Sequence, residues 1–290
     1  MTKSQTVAAQ SRHAQKDILM QMRILYLLTI LAALIGLYYP VLVAMAHDWS
    51  TNDNYSHGFF IPLISGYMIY AMKEELRQLP LRPVNGGVLL FVVGLGQLYV
   101  ARVGSEYFLQ RTSIILVLLG IVLFLLGKAI TRKLSVPILY LLFMVPLPAI
   151  LWNKIAFPMQ LYSSAITEKV IQLVGIPVFR EGNVLHLAQT TLEVVDACSG
   201  LRSLTTMFAL SAALAWFSNY ATWKKCALFF AAAPIAIFAN IVRLTGTAGL
   251  ASVYGEKVAQ GFLHEFSGFF TFVFGLMLLV LTNKLLHGRD

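Results

Sequence analysis

Apolar runs near or above 18 residues recur from one end of this 290-residue chain to the other. A run of that length closes its own backbone hydrogen bonds as a helix while crossing a hydrocarbon core about 30 Å thick. With 58% hydrophobic and only 12% charged residues, a soluble core with a polar shell is excluded. The runs predict eight spans: Ile24–Ala46, Phe59–Met72, Gly87–Ala101, Ser113–Leu126, Ser135–Trp152, Ser199–Phe217, Cys226–Ala248 and Phe262–Leu281. Residues 1–23 form a polar, basic tail, and no small-residue cleavage site follows a short apolar core, so no cleavable signal peptide is expected. The fold class that follows is an all-α polytopic membrane protein. It is one integral-membrane domain over 1–290, with the tail at 1–23, an outer loop at 153–197 and core helices over 198–284.

Orientation follows from Lys and Arg. With the N-terminal tail inside, fourteen of them fall in cytoplasmic segments and six in outer loops, while Arg202 and Arg243 lie near span ends. Both termini are therefore expected in the cytoplasm. The net charge of +9 is explained by basic loops against anionic membrane lipids. No basic stripe is interleaved with exposed aromatics, so no nucleic-acid partner is expected.

The outer loop divides in two. Ile155–Val174 reads as an amphipathic helix lying in the interface. Val178–Leu187 and Thr190–Val195 read as a small hairpin turning at Glu181-Gly182-Asn183, able to position an extended peptide by strand addition. The hairpin runs straight into Val195-Asp196-Ala197-Cys198-Ser199-Gly200-Leu201-Arg202, which puts a thiol at the mouth of the apolar run Leu204–Phe217. The only other cysteine, Cys226, starts the next span on the opposite side, so a disulfide between them is out of reach.

Counting 1.5 Å per residue, Arg243 stands about 27 Å above Lys225, His264 about 30 Å above Lys284, and Cys198 about 30 Å above Ser218. Three helices are thus expected to deliver a thiol, a guanidinium and an imidazole to one outer plane. In that arrangement Cys198 is the nucleophile, and Arg202, one turn on, helps to lower its pKa. His264 moves protons and Arg243 stabilises a thiolate or oxyanion, oriented by Asn240 on the same helical face. Blander readings stand beside these. A cysteine in a span serves as small apolar filler, Arg243 snorkels to headgroups, and His264 sits as an interfacial aromatic. Asn52–Pro62 forms a second outer patch, in which Ser56 and His57 either join the site or only cap a helix. His264-Glu265 lacks the second histidine of a zinc motif, because position 268 is glycine. Paired intramembrane aspartates and Gly-x-Ser-x-Gly are absent too, and no metal or other cofactor is expected.

Four segments, Asn54-Tyr55-Ser56-His57-Gly58, Ala197–Ser203, Ala239-Asn240-Ile241-Val242-Arg243 and His264-Glu265-Phe266-Ser267-Gly268, resemble the exosortase and archaeosortase family in content and order. The resemblance implies an inner-membrane cysteine protease or transpeptidase with its active site at the outer face. Its substrates would be secreted proteins ending in a Pro-Glu-Pro motif, a transmembrane helix and a basic cluster. It further implies Cys198 as nucleophile, Arg243 as charge stabiliser, His264 as acid/base and a setting of exopolysaccharide production. Some relatives carry an added soluble domain, so an accessory partner of this chain is expected to be a separate protein. Two other readings compete: a transporter or assembly subunit for polysaccharide export, and a lipid-modifying acyltransferase.

Overall fold

The computed structural model describes residues 3–188, 190–194, 201–254 and 262–287. Cys198, with Ser199 and Gly200, lies outside the described residues. Helix α1 spans Lys3–Thr51, so the basic tail and the first span form one continuous helix. A 3₁₀ segment, Asp53–Phe59, leads into α2 (Phe60–Ala71) and α3 (Lys73–Gln78). Helices α4 (Gly86–Val103), α5 (Tyr107–Leu126) and α6 (Lys128–Tyr140) follow. Helix α7 (Ala149–Leu173) precedes three strands, β1 (Val178–Glu181), β2 (Val184–Leu187) and β3 (Thr191–Glu193). Helices α8 (Leu201–Phe217), α9 (Thr222–Tyr254) and α10 (Phe262–His287) complete the order. Two units are compact by themselves, Met1–Ala46 and His47–Asp290; the first is helical throughout its described part.

The protein is an all-α polytopic membrane protein with one small sheet. Among the described residues, five helices are long and apolar enough to cross a membrane: Leu28–Thr51, Gly86–Val103, Tyr107–Leu126, Thr222–Ser252 and Gly268–His287. A sixth is added if the bent pair Lys128–Met144 and Ala149–Leu173 counts as one span. The remaining expected spans are shorter. The second is reduced to α2, 12 residues or about 18 Å of rise, and α8 has 17 described residues.

The fifth expected span, Ser135–Trp152, is not one helix. The chain leaves α6 through a single 3₁₀ turn, Leu141–Met144, and bends by 78° before α7. Pro146 and Pro148 lack the amide hydrogens that a continuing helix requires.

Helix α7 also differs from the expected interfacial helix. Its buried face carries Gln160, Ser163, Ser164 and Thr167, whereas Ile150, Phe157 and Tyr162 point outward and are exposed. Trp152, Ala156 and Ile171 flank those polar residues on the buried face, and Asn153, Lys154 and Lys169 stay exposed, so the helix turns a mixed face with a polar centre toward protein. Helices α7 to α10 share one apolar core that includes Trp152, Leu204, Met207, Leu228, Ala232 and Leu279.

The hairpin forms as expected and gains a third strand. Glu181 pairs with Val184 across Gly182-Asn183, and Gly182 has φ +63, a conformation that the two-residue turn requires and glycine accepts without strain. The sheet is antiparallel in the order β1-β2-β3. Its inner face, with Leu185, Leu187 and Val194, packs on Ile171 of α7 and on Leu244, Ala248 and Ala251 of α9. His186, which the sequence leaves in a loop, is a β2 residue facing Thr191.

Candidate functional site

Breaking a helix inside a membrane protein frees carbonyl groups that lipid cannot satisfy. Here three ring donors near the start of the second unit meet them. Trp49 Nε1 donates to Met144 O at 2.9 Å, Tyr55 Oη to Leu147 O at 3.4 Å, and His57 Nε2 to Phe143 O at 3.2 Å. A carbonyl only accepts, so His57 carries its proton on Nε2. Burial pushes the Tyr55 phenol up to about 12, which keeps it a neutral donor. Gly58 allows the fit, because a Cβ there would lie 2.5 Å from Trp49 Cδ1. Between the break, the 3₁₀ segment Asp53–Phe59 and α8 lies a cavity of about 320 Å³, with Tyr55, His57, Phe143, Leu204, Thr205 and Phe208 among its walls.

The Asn52–Pro62 patch is drawn to the start of α8 by Arg202. Its guanidinium bonds Asp53 Oδ2 at 3.1 Å and Asn54 Oδ1 at 3.4 Å. Among the described residues, Arg202 therefore also serves as a tie between the 3₁₀ segment and α8. The ion pair ties the segment that carries Tyr55 and His57 to the first turn of α8.

Helices α8, α9 and α10 are tied together at the end that holds Lys224 and Lys284. Lys224 Nζ donates to Leu286 O at 3.1 Å, in the last turn of α10, where a cation also meets the negative end of the helix dipole. Tyr220 Oη donates to Asn283 O at 2.8 Å, and Ser218 Oγ lies 3.3 Å from Asn283 Oδ1. The three helices therefore start their count from a common level, as the span arithmetic assumes.

Further along the bundle, packing sets the offset between the helices. Helices α9 and α10 are antiparallel, with Phe238 against Phe274 at 6.1 Å between ring centroids and Ala239 facing Gly275. Four residues on, Arg243 stands level with Thr271. His264, the third residue of α10, is seven residues further out, about 10 Å at helical rise. Nor does Arg243 end its apolar run, since the candidate span continues to Ser252. The small residues Thr245, Gly246, Thr247 and Ala248 let the helix continue without a polar stop.

Asn240 is fully buried, and its side-chain amide lies 3.5 Å from Ser163 Oγ on α7. Ser163 faces Asn240, and two turns on Ile171 joins Ala248 and Ala251, so α7 and α9 advance in the same direction. Asn240 Oδ1, Thr167 Oγ1 and Thr245 Oγ1 are buried and have no hydrogen-bond partner among the described residues. Sequence reasoning missed the α7 side of this seam. Its signal was Gln160, Ser163 and Thr167 recurring at helical spacing within an otherwise apolar stretch.

The family model of the transmembrane exosortases matches residues 49–281. The chain belongs to the transmembrane exosortase family. Comparison with curated proteins and with solved structures returned no match. The exosortase region begins at Trp49, the first of the three donors to the break, and includes Arg202, Asn240, Arg243, His264 and Cys198.

The clamp in this exosortase has a pH signature. Burial holds His57 below the ordinary imidazole value of 6.5, partly offset by its bond to Phe143 O. The unfolded chain then binds the proton more readily than the folded one. Stability is therefore full above 6.5 and is lost as pH falls from there through the lowered folded value. Thermal unfolding of the detergent-solubilised protein should show a lower Tm at pH 5.5 than at pH 7.5. His57→Gln keeps a side-chain donor for Phe143 O and should flatten part of that drop. Identical pH slopes for the two proteins would refute the assignment.

Proposed function

We propose that this exosortase is a cysteine protease or transpeptidase of the bacterial inner membrane. It cleaves the C-terminal tail of secreted proteins, a Pro-Glu-Pro motif followed by a transmembrane helix and a basic cluster. Both termini lie in the cytoplasm and the reaction takes place at the outer face. Membership of the exosortase family over residues 49–281 carries this reading. Support comes from the packing of α8, α9 and α10, which bear Arg202, Arg243 and His264, around a shared core.

In this mechanism the Cys198 thiolate attacks the scissile carbonyl, the tetrahedral intermediate collapses to a thioester, and His264 protonates the leaving amine. Water or an acceptor amine then resolves the thioester. Arg243 cannot act as a base and supplies fixed positive charge from the inner side. A unit charge at ~10 Å and an effective dielectric near 20 stabilises an anion by roughly 1.7 kcal/mol, more than tenfold in rate. Asn240 holds the α9 turn beneath Arg243 against α7. Arg202 and His57 position the entrance rather than meet the reacting atoms. The whole domain acts as one unit, with residues 153–197 presenting substrate to the helices of 198–284.

The test is co-expression with a tagged secreted reporter carrying such a tail, with reporter size followed by immunoblot. Wild type is expected to trim it, with Arg243→Ala slower by tenfold or more and His264→Ala slower still. A wild type that leaves several such tails intact would move the polysaccharide-export reading ahead.

A further inference from the structure

The two edges of the small sheet are treated differently. In the β1–β2 hairpin the closing pair is Glu181 with Val184, so the backbone groups of Val178 and Arg180 point away from β2. Helix α7 covers both: Glu168 Oε1 accepts from Arg180 N at 3.1 Å, and Gln172 Nε2 donates to Val178 O at 3.3 Å. Glu168 also holds the Arg180 side chain at 3.1 Å, which keeps the carboxylate in place. That edge is closed to another strand.

Among the described residues, the edge at β3 is open. Leu187 N bonds Thr190 O and Val194 N bonds Asn183 O, both at 2.9 Å, which fixes the alternation between β2 and β3. Leu192 is then the β3 residue bonded back to Leu185, and the N–H and C=O groups of Thr191 and Glu193 point outward. Both residues are exposed, and none of the described residues pairs with their outward backbone groups. Two residues apart in a strand, they present donor and acceptor pairs about 6.8 Å apart, a spacing that an extended peptide matches. Cys198 follows Glu193 by only five residues, at most about 18 Å of chain.

We propose that the outer edge of β3, through Thr191 and Glu193, is the docking rail for the extended segment of the secreted substrate that precedes its transmembrane helix. That segment adds a fourth strand and lays its scissile bond along the chain toward Cys198. The proposal rests on the protease reading for its occupant. Backbone pairing gives such a rail affinity with little dependence on side chains, which suits an enzyme that serves several substrates. A three-residue edge admits one short peptide while offering little to unrelated strands.

Two arms test it. In a Cys198→Ala background, which holds the complex before turnover, the photo-crosslinking residue benzoylphenylalanine is placed at Thr191, at Glu193 or, as control, at the exposed Phe179 of β1. In the catalytically intact chain, Thr191→Pro and Glu193→Pro remove outward N–H groups while sparing the inward pair of Leu192. Crosslinks from 191 and 193 to the reporter are expected, with none from 179. Each proline should raise KM about fivefold, with kcat within twofold. If wild type trims the reporter but 191 and 193 never capture it, strand addition is wrong and the protease reading survives. If the reporter is captured but never trimmed, the rail stands and the protease reading falls. Capture of a second copy of this chain instead would make the edge a self-association surface and overturn the proposal. Neither trimming nor capture would overturn both.

Discussion

Replacing Cys198 with alanine is expected to reduce reporter trimming by about 10⁴-fold or more, to background, while Cys226→Ala trims like wild type. The contrast comes from where the two thiols lie. Cys226 is free and exposed in the first turns of α9, at the end tied by Lys224 to the last turn of α10. Cys198 precedes α8 by three residues in the sequence, and the first turn of α8 carries Arg202, paired with Asp53. A thiol near a helix N-terminus has its thiolate stabilised by the unpaired amides and dipole there. Cys198→Ser should fall nearly as far, because an alcohol at neutral pH lacks the thiolate population on which attack depends. A transporter or assembly subunit would tolerate all three substitutions. The deciding measurement is reporter size by immunoblot at matched enzyme abundance. Persistent trimming by Cys198→Ala would remove this thiol from the mechanism.

Gly120→Leu is expected to cost about 3 kcal/mol or more of stability, through the α4–α5 pair rather than the site. A Cβ on Gly120 would stand 2.5 Å from Phe91 N and 3.0 Å from Gly87 O, and one on Gly94 would stand 2.8 Å from Val117 Cγ2. The atoms facing Gly120 are backbone, so no rotamer change relieves the clash and the helices must separate. Separation also strains the bonds of Gln97 Nε2 to Leu109 O and Thr112 Oγ1, both 2.9 Å. Lipid offers no hydrophobic drive to push two apolar helices together, so close packing carries most of the association. Gly96→Leu is the control, since nothing lies within 4 Å of a Cβ there. Thermal unfolding in detergent should show a large drop in Tm for Gly120→Leu and little change for Gly96→Leu. Equal Tm values would mean that the pair is looser than its glycines suggest.

The parts of the fold that read correctly from the sequence are those governed by local periodicity. The apolar runs of α4, α5 and α9 announce themselves, because each must satisfy its backbone alone in lipid. The Gly182-Asn183 turn does likewise, through a backbone conformation that few residues accept. Where the reading strayed, the cause lies in contacts between distant segments. Ser135–Trp152 looks like one span by hydropathy, yet Pro146 and Pro148 break it, and the break is tolerable only because Trp49, Tyr55 and His57 satisfy it from elsewhere in the chain. The contacts of Arg202 with Asp53 and Asn54, some 150 residues earlier, were likewise invisible to local spacing.

By itself the sequence determined that the chain lives in a bilayer, which end of each helix carries charge, and which few polar residues lie where lipid would penalise them without a function. Helical rise and alternating strand geometry are properties of the local backbone, so these conclusions needed no third dimension. Only the tertiary structure decided that Arg243 lies about 10 Å along the bundle from His264, because the offset between two antiparallel helices depends on which side chains interlock, here Phe238 with Phe274 and Ala239 with Gly275. It alone set the polar face of α7 against Asn240 and closed one sheet edge with Glu168 and Gln172 while leaving Thr191 and Glu193 open. Each of these is a pairing between segments far apart in the chain, and hydropathy reports how much a segment prefers burial, not what buries it.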